Sequence, residues 1–246
     1  MKGYGQFCPI AVACETFAER WTPLILREVL AGGRRFNEIR GGLPMISRTL
    51  LAQRLRELED AGVIESQPLP RGRGREYRPT RAAEEFRDVL QRLGEWGQRW
   101  GTTQIDPENL DLALLMWNVR RRVDLARLPD RRVVVQFDFH SFPARCRGFQ
   151  TCWLILERGG ADVCLKHPGF DVDLVVDADT SAMVQVWVGA ITFEQAMRAG
   201  GLRLTGPRDL VREFPTWLLL SHFAHVERPA RPAPVRRLAA GAARAR

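Results

Sequence analysis

The sequence lacks the features that mark membrane and secreted proteins. None of its 246 residues belong to an apolar run long enough to cross a bilayer, and no signal-peptide hydrophobic region follows Met1. Its five cysteines are irregularly spaced and do not resemble the disulfide framework of a small secreted domain. We therefore expect a cytoplasmic protein with no membrane partner.

Catalytic and metal-binding motifs are also missing. The sequence contains no G-x-S-x-G, no H-E-x-x-H and no phosphate loop. Cys146, Cys152, Cys164 and His167 could supply zinc ligands, but C-x5-C is not the spacing of a tight zinc site. We expect structural cysteines and a protein that is not an enzyme, with no catalytic residues, metal or cofactor.

The positive charge is unevenly distributed. The net charge of +8 divides into +4 over residues 1–104, −1 over 105–226 and +5 over 227–246. The last segment is rich in proline, alanine and arginine, which predicts a basic disordered tail. The other two segments are long enough to be separate domains.

Residues 47–62 organise the first segment, because they have the pattern of a DNA-reading helix. Ser47 can cap the helix, and Gly62 lies where a helix ends in a left-handed residue. Leu51, Leu55 and Leu58 recur at helical spacing and predict one buried face. The other face and the first turn are free to contact base edges in the major groove. The predicted DNA-reading residues are Ser47, Arg48, Thr49, Gln53 and Arg56.

The segments around this helix predict a winged helix-turn-helix domain. We expect helices over Ile10–Ala18, from a Thr22 cap onward, and over 36–40. Two extended segments, 63–69 and 76–79, flank an arginine- and glycine-rich loop. Arg71, Arg73 and Arg75 would bind phosphate there, although a solvated loop has the same composition.

A longer helix follows the wing. Thr80 is predicted to cap Arg81–Trp100, in which an apolar stripe recurs: Phe86, Leu90, Leu93 and Trp100. This stripe could pack in the core or form a dimer contact.

Several motifs in residues 7–100 together resemble the HxlR family of bacterial winged helix-turn-helix regulators. They are Cys8-Pro9-Ile10-Ala11, Arg20-Trp21-Thr22 with Leu24-Ile25-Leu26-Arg27-Glu28, Arg35-Phe36-Asn37-Glu38-Ile39, Leu43-Pro44-x-Ile46-Ser47, Leu55-Arg56-Glu57-Leu58-Glu59-x-Ala61-Gly62 and Tyr77-x-Pro79-Thr80. The resemblance implies a homodimer, formed by the first and last helices of the domain, on a pseudo-palindromic DNA operator. It also implies redox sensing at Cys8 as an alternative, and a helix N-terminus can lower the pKa of such a thiol.

Residues 105–226 have the pattern of an α+β domain. An initial helix over 110–123 precedes four strands, at 133–139, 153–156, 162–166 and 171–177. Two helices, at 182–188 and 193–199, then lead to a short strand and a closing segment.

Within this domain, residues 171–218 resemble the sterol carrier protein-like domain. The resemblance rests on Asp177-Ala178-Asp179, Trp187-x-Gly189, Phe193-x-x-Ala196 and Gly201-Leu202-Arg203-Leu204-x-Gly206. It implies helices covering a sheet over an apolar cavity. Six aromatic residues could line such a cavity or fill a solid core: Trp117, Phe137, Phe139, Trp153, Trp187 and Trp217.

The sequence thus favours a transcriptional regulator, in the repressor class, whose C-terminal domain senses a hydrophobic small molecule. Two alternatives remain at this point. One is the Cys8-based redox regulator, and the other is a lipid-binding module in which the winged domain serves only as a dimerisation scaffold.

Overall fold

The computed structural model describes residues 3–69, 74–101, 110–142, 144–227 and 229. Most of the arginine- and glycine-rich loop, residues 102–109 and nearly all of the predicted basic tail lie outside the described residues. The described ranges contain no helix with the length and apolar character that crossing a bilayer requires.

The N-terminal part is a helical core with a two-stranded wing. Its helices are α1 (Pro9–Phe17), α2 (Thr22–Leu30), α3 (Phe36–Gly41), α4 (Arg48–Asp60), α5 (Arg81–Glu85) and α6 (Arg87–Trp100), and its strands are β1 (Ile64–Pro68) and β2 (Arg75–Pro79). The two strands pair antiparallel, with Ile64 opposite Pro79. Apolar residues of α2, α3 and α4 form the buried cluster beneath them, including Ile25, Ile39 and Leu55. The predicted short helix, turn and longer amphipathic helix are confirmed as α3 and α4.

Three local predictions in this part are corrected. The N-cap of α2 is Trp21, which has a left-handed φ of 79°, and Thr22 is already helical. Thr80 does occupy the N-cap of α5, but its hydroxyl donates to the carbonyls of Gly62 and Val63 instead of capping the helix. The helix predicted over 81–100 is divided at Phe86, whose ring stacks on Phe17 at a centroid distance of 3.7 Å.

The C-terminal part combines a mixed sheet with helices. The strands are β3 (Val133–His140), β4 (Thr151–Glu157), β5 (Gly160–Cys164), β6 (Leu174–Asp179) and β7 (Leu202–Thr205), in the order β5-β4-β3-β6-β7. Only β3 and β6 are parallel among these pairs. The helices are α7 (Leu112–Arg121), α8 (Thr180–Trp187), α9 (Phe193–Arg198) and α10 (Arg208–Trp217), with 3-10 turns at Leu125–Arg127 and Ala144–Phe149.

The two faces of this sheet differ because side chains alternate along each strand. One face carries Phe137, Phe139 and Leu154 into a buried cluster that α10 completes with Phe214 and Trp217. The opposite face carries a hydrogen-bonded polar group. In it, Trp153 Nε1 donates to Gln136 Oε1, and Gln136 Nε2 and Thr151 Oγ1 both donate to Asp138.

A buried carboxylate joins the two parts of the chain. Glu28 of α2 is 1% exposed, and its Oε1 accepts hydrogen bonds from Arg27 at 2.7 and 3.0 Å. Its Oε2 accepts from Nη2 of Arg121 on α7 at 2.8 Å. A Cβ at Gly42 would lie 2.0 Å from Glu28 Oε2, so a side chain there would displace this carboxylate.

A second contact joins α6 to the C-terminal part. Gln98 Nε2 donates to the Val188 carbonyl at 3.0 Å, and Phe223 packs closely against Gly94. The N-terminal part is therefore held against the C-terminal part by α2 and by α6.

Candidate nucleic-acid interface

The helix α4 has one buried and one free face, as its sequence predicts. Leu51, Leu55 and Leu58 are at most 1% exposed and pack on the N-terminal core. Ser47 is the N-cap residue, and its Oγ accepts a hydrogen bond from Leu50 N at 3.2 Å. Gly62 ends the segment with a left-handed φ of 68°. The first turn of α4 is therefore fixed in place by packing and capping.

The predicted DNA-reading side chains lie on the free side of this helix. Ser47, Arg48, Thr49, Gln53 and Arg56 are all exposed. Gln53 Nε2 donates to Glu57 Oε1 at 2.9 Å, which holds the Gln53 amide against the next turn. Because an amide or guanidinium can bond two atoms of one base, this surface can read base edges.

Arg54, which the sequence did not single out, has a structural role beside this surface. Its guanidinium bridges Glu57 of its own helix at 2.6 Å and Glu19 at 2.7 Å. Burial alone would raise the pKa of Glu57, but the hydrogen bonds from Arg54 and Gln53 outweigh it and lower that pKa. The ion pairs attach α4 to the segment that follows α1 and leave the outer face of α4 to Arg48 and Arg56.

The two strands of the wing lie beside the recognition helix and are attached to it. Arg75 donates from Nη2 to Glu59 Oε1 of α4 at 3.1 Å, and its Nε donates to Ser66 Oγ. Arg78 pairs with Glu76 at 3.2 Å, and this pairing lowers the pKa of the Glu76 carboxyl. Arg75 is thus engaged within the protein while remaining half exposed.

The other two predicted phosphate-binding residues, Arg71 and Arg73, lie outside the described residues. Their role stays a prediction. The described strands nevertheless bring residues 69 and 74 together, since Leu69 N donates to the Gly74 carbonyl at 3.2 Å.

Comparisons with known proteins agree with this geometry. The family model described as HxlR-like helix-turn-helix matches residues 16–105. The uncharacterised HTH-type transcriptional regulator YvaP of Bacillus subtilis is 34% identical over 108 residues, which are 43% of this chain and 96% of that regulator. The chain belongs to the HxlR-like helix-turn-helix family. Its family membership implies DNA binding, and its relatives are named as transcriptional regulators and not as enzymes.

Other transcriptional regulators also match part of the chain. The HTH-type transcriptional regulator YodB of Bacillus subtilis is 42% identical over 64 residues, covering 26% of this chain and 57% of YodB. An uncharacterised HTH-type regulator of Methanothermobacter thermautotrophicus is 34% identical over 98 residues, covering 39% of this chain and 75% of that protein. The crystal structure of reduced YodB matches with 32% identity and a TM-score of 0.35, covering 39% of this chain and 97% of YodB.

The six aromatic residues predicted to line a ligand cavity are not brought together. Phe137, Phe139 and Trp217 lie in the packed C-terminal core, where Phe214 contacts the rings of Phe137 and Trp217. Trp153 lies on the opposite face of the sheet and contacts the His167 ring. The remaining two are Trp187, partly buried against the core, and Trp117, on α7 at the junction with the N-terminal part. The lining role of these residues stays a prediction.

The cysteines differ strongly in exposure. Cys8 is the exposed N-cap residue of α1, and the backbone N–H groups of Ala11 and Ile10 lower the pKa of its thiol. Cys152 is buried in β4, and burial raises its pKa to about 12. In the described ranges, no group of three or more His, Cys, Asp or Glu residues is arranged to hold a metal ion. Cys8 is therefore the described thiol best placed to react.

Proposed function

We propose that this HxlR-type regulator is a homodimeric repressor that reads a specific operator with α4. The observation that carries the proposal is the capped, exposed first turn of α4, where Arg48 and Thr49 stand beside Gln53 and Arg56. In this arrangement the first turn and Gln53 would select bases. The wing residues would bind phosphates, which carry no sequence information directly.

The dimer proposal is supported by apolar residues on α6 and α1 that the single chain leaves exposed to solvent. On α6, Val89, Leu93, Trp96 and Trp100 are at least half exposed and recur every three or four residues. On and before α1, Phe7 and Ile10 are exposed as well. Exposed apolar residues at this spacing mark an interaction site, and a second copy of the same two helices would cover them with matching chemistry.

The roles of reading and phosphate binding can be separated by titration. Fluorescence anisotropy against the protein's own promoter and against scrambled DNA should show salt-sensitive binding that prefers the promoter. Gln53→Ala should reduce that preference. The Arg71→Ala/Arg73→Ala variant should weaken binding to both DNAs and lower the slope of log K against log salt by about 1.8, at about 0.9 per phosphate contact. Equal losses on both DNAs for Gln53→Ala would contradict the reading role.

The C-terminal part is the proposed effector-sensing unit. Its five-stranded sheet with α7 to α10 supports the sterol carrier protein-like character proposed for residues 105–226, and its contacts with α2 and α6 connect it to the DNA-binding part. A ligand changes DNA affinity only if it binds the DNA-competent and DNA-incompetent conformations differently. Operator affinity that does not change with any bound small molecule would contradict this role.

A redox function is the second candidate, and the lowered pKa and full exposure of Cys8 favour it. In this case diamide treatment should release the operator from the wild-type protein and leave the Cys8→Ser variant bound. Equal release from both proteins would exclude Cys8 as the sensor.

A further inference from the structure

A pocket of about 460 Å³ opens at the junction between the N-terminal and C-terminal parts. One wall is formed by α3 and by Arg48, the first residue of α4, and the other by α7 and β5. Its volume falls in the range of about 300–1,000 Å³ that is typical of small-molecule sites. The pocket is therefore large enough for an organic ligand and adjoins the recognition helix.

The charge of the pocket is positive. Arg40, Arg48 and Arg120 line it, against one acidic residue, Asp162. Arg120 is already engaged, since its Nε donates to the Ala161 carbonyl at 3.0 Å and lies 3.6 Å from Asp162. Arg40 and Arg48 make no ion pair with any residue that the structure describes. Two arginines without an ion pair in the described structure thus line the same pocket.

The rest of the lining is mainly apolar and includes Trp117, Met116 and Phe149. The Trp117 ring packs against α3, where a Cβ at Gly41 would lie 3.0 Å from the ring. Arg120 stands over the same ring at 4.8 Å from its centroid. A flat apolar body would find van der Waals partners on this wall.

Two buried nitrogen donors on the lining residues also lack partners. Arg40 Nε and Trp117 Nε1 are buried and make no hydrogen bond within the described residues. An unsatisfied buried donor costs about 1–3 kcal/mol, so a ligand oxygen that reached either group would gain a favourable hydrogen bond.

We propose that this pocket binds an organic monocarboxylate with an aromatic body and that the bound acid withholds Arg48 from DNA. The carboxylate pairs with Arg40 and Arg48, and the ring lies along Trp117. The proposal rests on the proposed regulatory function and names the effector class and its site. Because Arg48 cannot pair with a carboxylate and contact base edges of the operator at the same time, the acid and the operator weaken each other's binding by the same factor.

Binding at the site is tested by calorimetry on the full chain. The probes are benzoate, 2-naphthoate and biphenyl-4-carboxylate, each compared with its neutral primary amide. We expect at least one acid to bind once per chain and about tenfold or more tightly than its amide. Arg40→Gln, which removes a cation, and Ala113→Phe, which fills the pocket, should each weaken that acid about tenfold or more. Arg212→Gln, on an exposed arginine of α10 outside the pocket, is the matched control and should bind like the wild type.

The link to DNA is tested by operator titration with and without the acid. Saturating acid should raise the operator Kd about fivefold or more for the wild-type protein. For Arg40→Gln at the same acid concentration, the operator Kd should rise by less than about twofold. Circular dichroism of each variant separates loss of the pocket from loss of the fold.

The proposal is overturned if no acid outbinds its amide, if both pocket variants bind like the wild type, or if the saturated protein binds its operator unchanged. Failure of the proposed function gives a different result: the protein then shows no preference for its promoter even without the acid.

Discussion

The buried Glu28 carboxylate gives the sharpest stability prediction, because two arginines from different parts of the chain satisfy its two oxygens. Replacing Arg121 by Met keeps most of the apolar stem but leaves Glu28 Oε2 without its described partner. Oε1 remains paired with Arg27. The loss is therefore smaller than the 3–5 kcal/mol of breaking a whole buried ion pair and close to that of one buried unsatisfied acceptor, about 1–3 kcal/mol.

The measurement is urea unfolding followed by both tryptophan fluorescence and circular dichroism, since coincident curves justify a single free energy of unfolding. We expect Arg121→Met to lower that free energy by about 2 kcal/mol. The control is Arg92→Met, which removes the exposed ion pair with Glu95 and should change it by less than about 0.5 kcal/mol.

A double-mutant cycle with Glu28→Gln isolates the pairwise contribution. Once Glu28 carries no charge, Arg121 has less to neutralise, so the double variant should lose less than the sum of the single losses, by about 1 kcal/mol or more. Additive losses, or an Arg121→Met effect no larger than that of Arg92→Met, would refute the role given to this carboxylate.

Three further predictions follow from α1 and α6. Gly94→Ala should lower the free energy of unfolding by about 1–3 kcal/mol, because its Cβ would lie 2.1 Å from Phe223 Cζ. A Cβ at Gly97 on the same helix meets nothing within 4 Å, so Gly97→Ala should raise that free energy by up to about 1 kcal/mol, and equal stability of the two variants would contradict the packing. Leu93→Asp/Trp96→Asp should convert the proposed dimer to a monomer in light scattering, and an unchanged dimer mass would remove α6 from the proposed interface. Alkylation of Cys8 by iodoacetamide should reach half its maximal rate below the pH typical of a free cysteine, because the Ala11 and Ile10 N–H groups lower the thiol pKa and so favour the thiolate. Buried Cys152 should stay unmodified in the folded protein, and a pH profile of Cys8 alkylation like that of free cysteine would refute the pKa shift.

Local signals predicted most of the recognition helix. The Ser47 cap, the leucine stripe and the Gly62 end are each determined by neighbours within a few residues, and each is confirmed. Thr80 shows where such signals fail, because its hydroxyl donates to the carbonyls of Gly62 and Val63, 18 and 17 residues away, instead of capping its own helix.

The junction could not be predicted because its partners are far apart in the sequence. Glu28 and Arg121 are 93 residues apart, and no local pattern connects Arg121 with the family motif that contains Glu28. The six aromatic residues were grouped by residue type, but alternation along the strands places Trp153 on the opposite face of the sheet from Phe137. Register and docking decide such groupings, and no local periodicity encodes them.

The junction between the N-terminal and C-terminal parts contains both the buried ion pair and the proposed ligand pocket. Both use α7: Arg121 pairs with buried Glu28 on α2, while Trp117, one turn earlier, faces α3 beside the pocket. A ligand that enters the pocket therefore contacts α7, which the buried ion pair holds in place. The lining residue whose position the ligand can change more easily is Arg48, which is exposed and without an ion pair in the described structure. Weakening the attachment through Arg121→Met should accordingly reduce the effect of the acid on operator affinity more than it reduces operator affinity itself.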